Sequence, residues 1–448
     1  MVQQETDPTT TTRTAPNDRE LRRVVASSIV GTALEWYDFF IYGTAVVLVF
    51  NDHFFVQDDP AMGTLIGFAT FGVGFVFRPL GGFVFGSIGD RIGRRATLVL
   101  TTLIMGLSTG VIGLLPSYES IGLAAPLLLT LMRICQGLGA GAEFGGASTL
   151  LAEHAPPARR GFFTSFAQLG VQIGLVLSTA SFLIIELSLS DNATDTWGWR
   201  LPFLFSFVLI AVALYLRLRV AESPVFRQLQ QRRSVVKLPA RETLRRYPRN
   251  FLVGIGAHIC DTAVVYIYAT FSVSYMTDEL GLERWTALTG VILFGLVVIA
   301  LQPVYGALSD RIGRRPLNLF SVIFTGLFAF PLFLLMETEQ PVVIYGALIL
   351  ATGLGLAPMI AVQPAFYAEL FGARVRYTGF AASREVGAAV AGFSPMIATA
   401  LLAKGDGSPW LVAGFMMLTA VISLIAFLYS RESRDVDIAD ETLPEERR

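Results

Sequence analysis

The chain has 448 residues, 53% of them hydrophobic and 15% charged, with 34 Lys and Arg against 35 Asp and Glu. A charge share so far below the roughly 25% of an average soluble domain excludes a soluble globular protein and predicts an integral membrane protein. The net charge of -1 gives no basic field for nucleic acid, and the two cysteines, Cys135 and Cys260, fall in apolar runs where packing is the expected role rather than a disulfide or a metal site.

Residues 1–22 are polar and Thr-rich and are expected to form a disordered cytoplasmic tail, with no cleavable leader. Apolar runs near the roughly 20 residues that cross a bilayer follow at about 24–50, 62–86, 96–115, 121–149, 161–186 and 199–218. A polar linker, 219–249, carries Arg227, Arg232, Arg233, Lys237, Arg241, Arg245, Arg246 and Arg249 against Glu222 and Glu242, and should lie along the anionic inner leaflet. Six more runs follow at about 250–277, 286–308, 316–336, 341–365, 377–402 and 409–430. The tail 431–448 is short and has no apolar heptad. Twelve spans thus divide into a first half, 23–218, and a second, 250–430.

The connections alternate in charge. One set carries Arg91, Arg94 and Arg95; Arg159 and Arg160; Arg311, Arg314 and Arg315; Arg374 and Arg376. The other carries Asp52, Asp58 and Asp59; Glu119; Asp191 and Asp195; Asp278 and Glu279; Glu337 and Glu339. The positive-inside rule places the basic set, and with it both termini, in the cytoplasm.

The halves repeat. "GSIGDRIGRR" starts at Gly86 and "GALSDRIGRR" at Gly306, an offset of 220 residues, each expected in the loop after the second helix of its half; "GLG" recurs at Gly137 and Gly353, an offset of 216. Glycine permits tight turning and close approach, and Asp90 and Asp310 are suited to accept hydrogen bonds from helix-end amides or arginines. Setting topology needs arginine alone, not this spacing twice, so Asp90, Arg91, Arg94, Asp310, Arg311 and Arg314 are candidate gating residues. Two parallel six-helix units around an axis normal to the membrane suit a midplane site exposed alternately to each side.

The duplicated motif resembles the signature of the major facilitator superfamily, and "RICQGLGAG" (133–141) its fourth-helix motif. "EWYDFFIYG" (35–43), "FRPLGGFVFG" (77–86), "QGLGAGAEFGGA" (136–147) and "YATFSVSYMT" (268–277) are similar to the metabolite:proton symporter family, whose members import shikimate, oxoglutarate, citrate, and proline or betaine. The resemblance covers roughly 24–430 and implies an all-α membrane protein of twelve transmembrane helices and proton-driven uptake, with no cofactor. The sequence departs from the family early in the eleventh span, where "FAASREVGA" (380–388) replaces a "SLGYQ"-like run, and in the fourth, where "AEFGG" replaces "GEWGG". The short tail lacks the coiled-coil extension of osmosensing betaine carriers.

Ionisable groups inside spans are costly and each demands a partner. Glu35 and Asp38 share one stripe of the first span with Gly31 and Tyr42; His258 and Asp261 share one on the seventh with Val265 and Tyr268. The fourth adds Arg133, Gln136 and Glu143, the fifth Gln168 and Gln172, the eleventh Arg384 and Glu385, and all are expected to line one aqueous cavity. Five acids, Glu35, Asp38, Glu143, Asp261 and Glu385, face three arginines, Arg78, Arg133 and Arg384, and Arg78 is expected to reach the headgroups. At least two acids then lack a cation, and a poorly hydrated carboxylate without one takes up a proton. Glu35, Asp38, Asp261 and Glu143 are therefore the candidate proton sites.

Arg133 and Arg384 are suited to receive a substrate carboxylate through planar forks, with Gln136, Gln168, Gln172, Glu385, Tyr42, Trp36, His258 and Tyr268 as further lining. For Arg133 a static pairing with an acid stays open, and for His258 a structural role beside a proton relay. No P-loop, metal cluster or nucleophile constellation is legible, so an enzyme is not expected. The expectation is a monomeric inner-membrane symporter of a small organic acid; uptake of a zwitterionic osmolyte and drug/proton exchange are the alternatives.

Overall fold

The computed structural model describes residues 18–50, 53–55, 60–92, 94–141, 143–219, 239–372, 375–436 and 438; side chains at 18–20, 23, 27, 60, 61, 83, 86–98, 150, 153, 191, 216, 217, 219, 239 and 240 are outside the description. The expectations for the tail 1–17, for the linker 220–238 and for the side chains of Asp90, Arg91 and Arg94 therefore lie outside the described residues. Among the described residues there is no strand.

Among the described residues twelve main helices follow one another: α1 (Asp18–Ala45), α2 (Pro60–Ile92), α3 (Arg94–Ile112), α4 (Ala124–Ala140), α5 (Arg160–Ser188) and α6 (Arg200–Arg219) in the first half, then α7 (Pro248–Tyr266), α8 (Arg284–Ile312), α9 (Arg314–Met336), α10 (Pro341–Leu350), α11 (Arg376–Ala391) and α12 (Trp410–Tyr429). Several run on through local breaks. α1 ends in a π-helical turn, Val46–Phe50, and α4 is interrupted before Phe144–His154. α7 continues irregularly to Glu279, and α11 resumes at Ser394–Lys404. In α10 a π-helical stretch, Ala351–Leu356, directly precedes the segment Ala357–Leu370 with Pro358 in its first turn; proline donates no backbone hydrogen bond, so the ladder slips register there.

Eleven of these helices, with their continuations, are long and apolar enough to cross a membrane. The twelfth expected span is α3, whose apolar part is Val99–Ile112 because its first turn carries Arg94 and Arg95.

The repeated motif is not the loop the sequence suggested. α8 stays helical to Ile312, and the turn into α9 is made at Gly313, whose φ of 103° only glycine adopts without strain. Gly306 serves close approach instead: a Cβ there would sit 2.7 Å from the Gly161 carbonyl oxygen of α5.

Candidate functional site

The expected single cavity resolves into four clusters. The first lies inside the first half, where α1, α3, α4 and α6 enclose a space about the size of one water, lined by Gly31, Glu35, Asp38, Thr102, Glu143 and Ser206 among others. Asp38 accepts a hydrogen bond from the Ser206 hydroxyl (2.9 Å), and among the described residues no arginine or lysine pairs with it. Glu143, at the break in α4, accepts from Thr101 (3.1 Å) and Thr102 (3.0 Å) of α3.

The second cluster spans the interface between halves. Arg78 of α2 is fully buried, which corrects the expectation that it reaches the headgroups: α2 runs on to Ile92, so Arg78 lies more than three turns inside the helix. Its Nε donates to Glu385 Oε2 (2.6 Å) and its Nη2 to Glu385 Oε1 (3.2 Å), while Glu35 Oε1 lies 4.0 Å from Nη2. Arg384 Nη1 donates to the same Glu385 Oε1 (2.9 Å). The Trp36 ring lies 5.1 Å from the Arg78 guanidinium, and Arg384 lies 3.9 Å from the Phe144 ring.

The third cluster is built on Arg133. Its guanidinium donates to Gln136 Oε1 (2.9 Å) and to the Phe71 carbonyl (2.9 Å) and lies 4.1 Å over the Tyr42 ring. Gln136 in turn donates to Thr109 (2.6 Å), and Tyr42 shares a 2.6 Å bond with Thr70. Among the described residues no carboxylate pairs with Arg133, so the static ion pair left open by the sequence is absent there. A buried guanidinium with neutral partners is costly, and an anion entering beside it repays that cost.

The fourth cluster is His258 with Asp261 (3.0 Å) and Thr262 (3.1 Å) on α7. Asp38 and Asp261 thus face separate surroundings, Ser206 on one side and His258 on the other, rather than one shared chamber. Residues three apart on a helix diverge by about 60°, enough to turn Glu35 toward the second half while Asp38 turns toward α6. Gln168 and Gln172 are buried on α5, with Gln172 Oε1 holding no hydrogen bond. Tyr268 packs against Phe294, away from the four clusters.

At the opposite end of α5 the halves meet through charge. Asp310 accepts from the first backbone amides of α5, Gly161 (2.7 Å) and Phe162 (2.9 Å), and from Arg314 (2.8 Å). Glu369, the carboxylate that sequence reasoning missed, binds Arg314 (3.2 Å), Ser433 (2.7 Å) and, across the interface, Arg160 (3.0 Å). Arg311 is exposed and joins this group through its carbonyl alone, which accepts from Arg434. A signal was present: Ala152-Glu153 with Arg160 and Ala368-Glu369 with Arg376 repeat at the same offset of 216 as the GLG motif.

Comparison with known proteins bears on this architecture. Residues 28–393 match the family model of the Major Facilitator Superfamily. The chain is 40% identical over 417 residues to the shikimate transporter of Escherichia coli K12, covering 92% of this chain and 95% of that one. It is 41% identical over 428 residues to an inner membrane metabolite transport protein of the same strain, with 92% and 94% covered. It is 33% identical over 426 residues to that strain's proline/betaine transporter, with 93% and 85% covered. Among solved structures, the D-xylose-proton symporter superposes with a TM-score of 0.70 at 18% identity over 92% of this chain and 98% of that one. A partially occluded inward-open form of the xylose transporter from E. coli gives 0.71 at 17% identity over 93% and 99%; both likenesses speak to the fold. With twelve helices in two six-helix halves, a family match over most of its length and transporters as its relatives, the chain is a multi-pass membrane transporter, not an enzyme, and belongs to the Major Facilitator Superfamily and its metabolite:proton symporter family.

Proposed function

We propose that this chain imports a small carboxylate-bearing metabolite together with protons by alternating access, as a monomer with both termini in the cytoplasm. The observation that carries the reading is Arg133: a fully buried guanidinium held by an amide, a carbonyl and an aromatic ring, with Nε holding no acceptor. Such a group is prepared for a ligand that brings negative charge. Arg384, beside the interface between halves, is the second anion contact.

Asp38 is the proposed driving-proton site. Its described partner is a neutral hydroxyl and it lines a space with Glu35 and Glu143, so an ionised Asp38 adds negative charge to an already acidic pocket. Glu35 and Glu143 share that role as neighbours, and Asp261 with His258 offers a separate proton site on α7. Asp310, Arg314 and the arginines of the first copy of the motif gate the proposed cytoplasmic end, where Asp310 holds α5 across the interface.

The relatives that transport shikimate and other metabolites favour an organic acid; the proline/betaine relative keeps a zwitterionic osmolyte as the second reading. The test is uptake of labelled shikimate and of labelled glycine betaine by cells expressing the chain, each with and without a protonophore. Protonophore-sensitive accumulation of shikimate is the expected result. Accumulation of glycine betaine alone would transfer the reading to osmolytes, and proton-driven efflux would overturn import.

A further inference from the structure

The middle of the interface between halves holds buried hydrogen-bond donors with no acceptor. Arg78 Nη1, Arg384 Nε, Trp36 Nε1 and the Tyr266 hydroxyl are buried without a partner, and they come from α2, α11, α1 and α7. Two of these side chains, Arg78 and Arg384, hold one carboxylate between them. Glu385 takes three hydrogen bonds, from Arg78 Nε (2.6 Å), Arg78 Nη2 (3.2 Å) and Arg384 Nη1 (2.9 Å), which is the forked geometry a ligand carboxylate would adopt. Trp36 lies 5.1 Å from Arg78 and 6.0 Å from Arg384. Orphaned buried donors are expensive, and four of them beside this fork, with Glu35 Oε1 4.0 Å from Arg78 as the other nearby acceptor, point to an occupant that brings further oxygens.

Building on the carboxylate reading above, we propose that Glu385 is a resident counter-ion whose place on Arg78 and Arg384 is taken by the substrate's carboxylate, and that the displaced Glu385 binds the proton that keeps the interface neutral. The count is direct. Arg78 and Arg384 balance Glu35 and Glu385 in this structure. An entering anion with Glu385 still ionised leaves one negative charge unmatched at membrane depth; an entering anion with Glu385 protonated leaves none. In the exchange the three hydrogen bonds to Glu385 break, equivalent bonds form to the ligand, and one proton from water on the open side forms an O–H bond on Glu385.

Other charged and titratable groups act on this site. Glu35 lies behind Arg78, His258 and Tyr266 face it from α7, Tyr367 from α10, and Asp261 stands beyond His258. None of these adds a cation to Glu385 once the guanidiniums are taken, apart from a protonated His258. The ligand class is a compact monocarboxylate with neutral hydroxyl or keto oxygens, the carboxylate for the fork and the remaining oxygens for Trp36 Nε1 and the Tyr266 hydroxyl. A second carboxylate would need a second proton or the Arg133 guanidinium.

The experiment is binding-linked proton uptake by the purified full chain, followed with an indicator dye in weak buffer, using shikimate and glycine betaine as probes. For wild type the expected result is about one proton taken up per shikimate at about pH 7.5, with affinity falling as pH rises. Glu385→Gln, which keeps shape and removes the charge, is expected to take up none, to bind with flat pH dependence, and to bind shikimate at least about tenfold more tightly than wild type at pH 8. Shikimate binding to wild type without proton uptake overturns this inference and leaves the carboxylate reading standing, and it does so even if Glu385→Gln fails to fold. Unaltered uptake in a folded Glu385→Gln overturns it as well. Binding of glycine betaine but no shikimate, or of neither probe, removes the carboxylate reading and this inference together.

Discussion

Glu369→Gln tests whether the charge cluster at the end of α5 holds the proposed cytoplasmic side shut. Glu369 binds Arg314 within its own half and Arg160 across the interface at 3.0 Å. The Arg314 contacts persist as the halves part and cancel from the opening equilibrium, whereas the Arg160 contact is lost on opening. Glutamine keeps an acceptor oxygen but loses the charge; charged hydrogen bonds contribute about 1.5–3 kcal/mol net and neutral ones about 0.5–1.5, so losing about 1–1.5 kcal/mol shifts the closed-to-open ratio by roughly 5- to 13-fold. The assay uses Ala152, which is buried with Ala368 and Ile438 in a small cluster that joins the halves. An Ala152→Cys reporter, with Cys135 and Cys260 replaced by serine, is labelled by a membrane-impermeant maleimide in inverted vesicles. The expected result is labelling accelerated by about fivefold or more in Glu369→Gln. Unchanged labelling in a variant that still folds would refute the claim that this pair sets the equilibrium.

Three other expectations are independent of that pair. Asp38→Asn abolishes uphill accumulation while leaving exchange of labelled for unlabelled substrate, since the neutral amide keeps the Ser206 contact but carries no proton; accumulation at the wild-type level removes Asp38 from the coupling. Arg133→Lys raises the apparent substrate constant by about tenfold, because a lysine reproduces neither the two-point hold on Gln136 and Phe71 nor the stacking on Tyr42, and an unchanged constant in transport assays makes Arg133 structural. Gly137→Ala lowers the melting temperature of the purified protein by an amount equivalent to about 1–3 kcal/mol, because its Cβ would overlap the Gly74 carbonyl oxygen and force α2 and α4 apart; an unaltered melting temperature would show that this helix pair yields freely.

Most of the helices were legible because each satisfies a length rule on its own; α3, with its shorter apolar part Val99–Ile112, was legible from the alternation of loop charges. The run expected at 161–186 is the helix Arg160–Ser188, and the run at 316–336 is Arg314–Met336. The sequence predicts one span from 121 to 149, whereas α4 breaks before Phe144, because glycine spacing does not tell a packing glycine from a break. The site was legible as an inventory but not as a map. Periodicity places Glu35 and Asp38 on one broad side of α1, yet which neighbour each meets depends on how α1 rotates against α2 and α6, and no local rule fixes that. The same holds for Arg78: its position along α2 reads as a boundary only if the helix stops at 86, and it continues to Ile92. Glu369 lies beyond the apolar run expected at 341–365, so the span pattern gives it no weight, although its repeat partner Glu153 lies 216 positions earlier.

The contacts within and between halves differ in kind, and that difference bears on how the molecule can move. Inside the first half, glycines bring backbone against backbone: added Cβ atoms at Gly81, Gly137 and Gly141 would meet the carbonyl oxygens of Leu138, Gly74 and Arg78, and those at Gly170 and Gly174 would meet the Ile29 and Ala33 carbonyl oxygens of α1. In the second half Gly387 meets the Ile255 carbonyl oxygen in the same way. Between halves the partners of glycine are mostly side chains: Phe393 for Gly72, Phe75 for Gly392, Thr270 for Gly43 and Val176 for Gly295. Side chains change rotamer and part; interlocked backbones do not, so rigid halves rocking on a side-chain interface cost less than helices sliding within a half. One contact breaks the pattern, Gly161 against Gly306, where backbone meets backbone across the halves. It adjoins Asp310, whose hydrogen bonds to Gly161 and Phe162 must break in the same step that separates those glycines. The charge of the second copy of the repeated motif therefore sits where backbone meets backbone across the halves, and we propose that release there is a switch between two arrangements rather than a continuous slide.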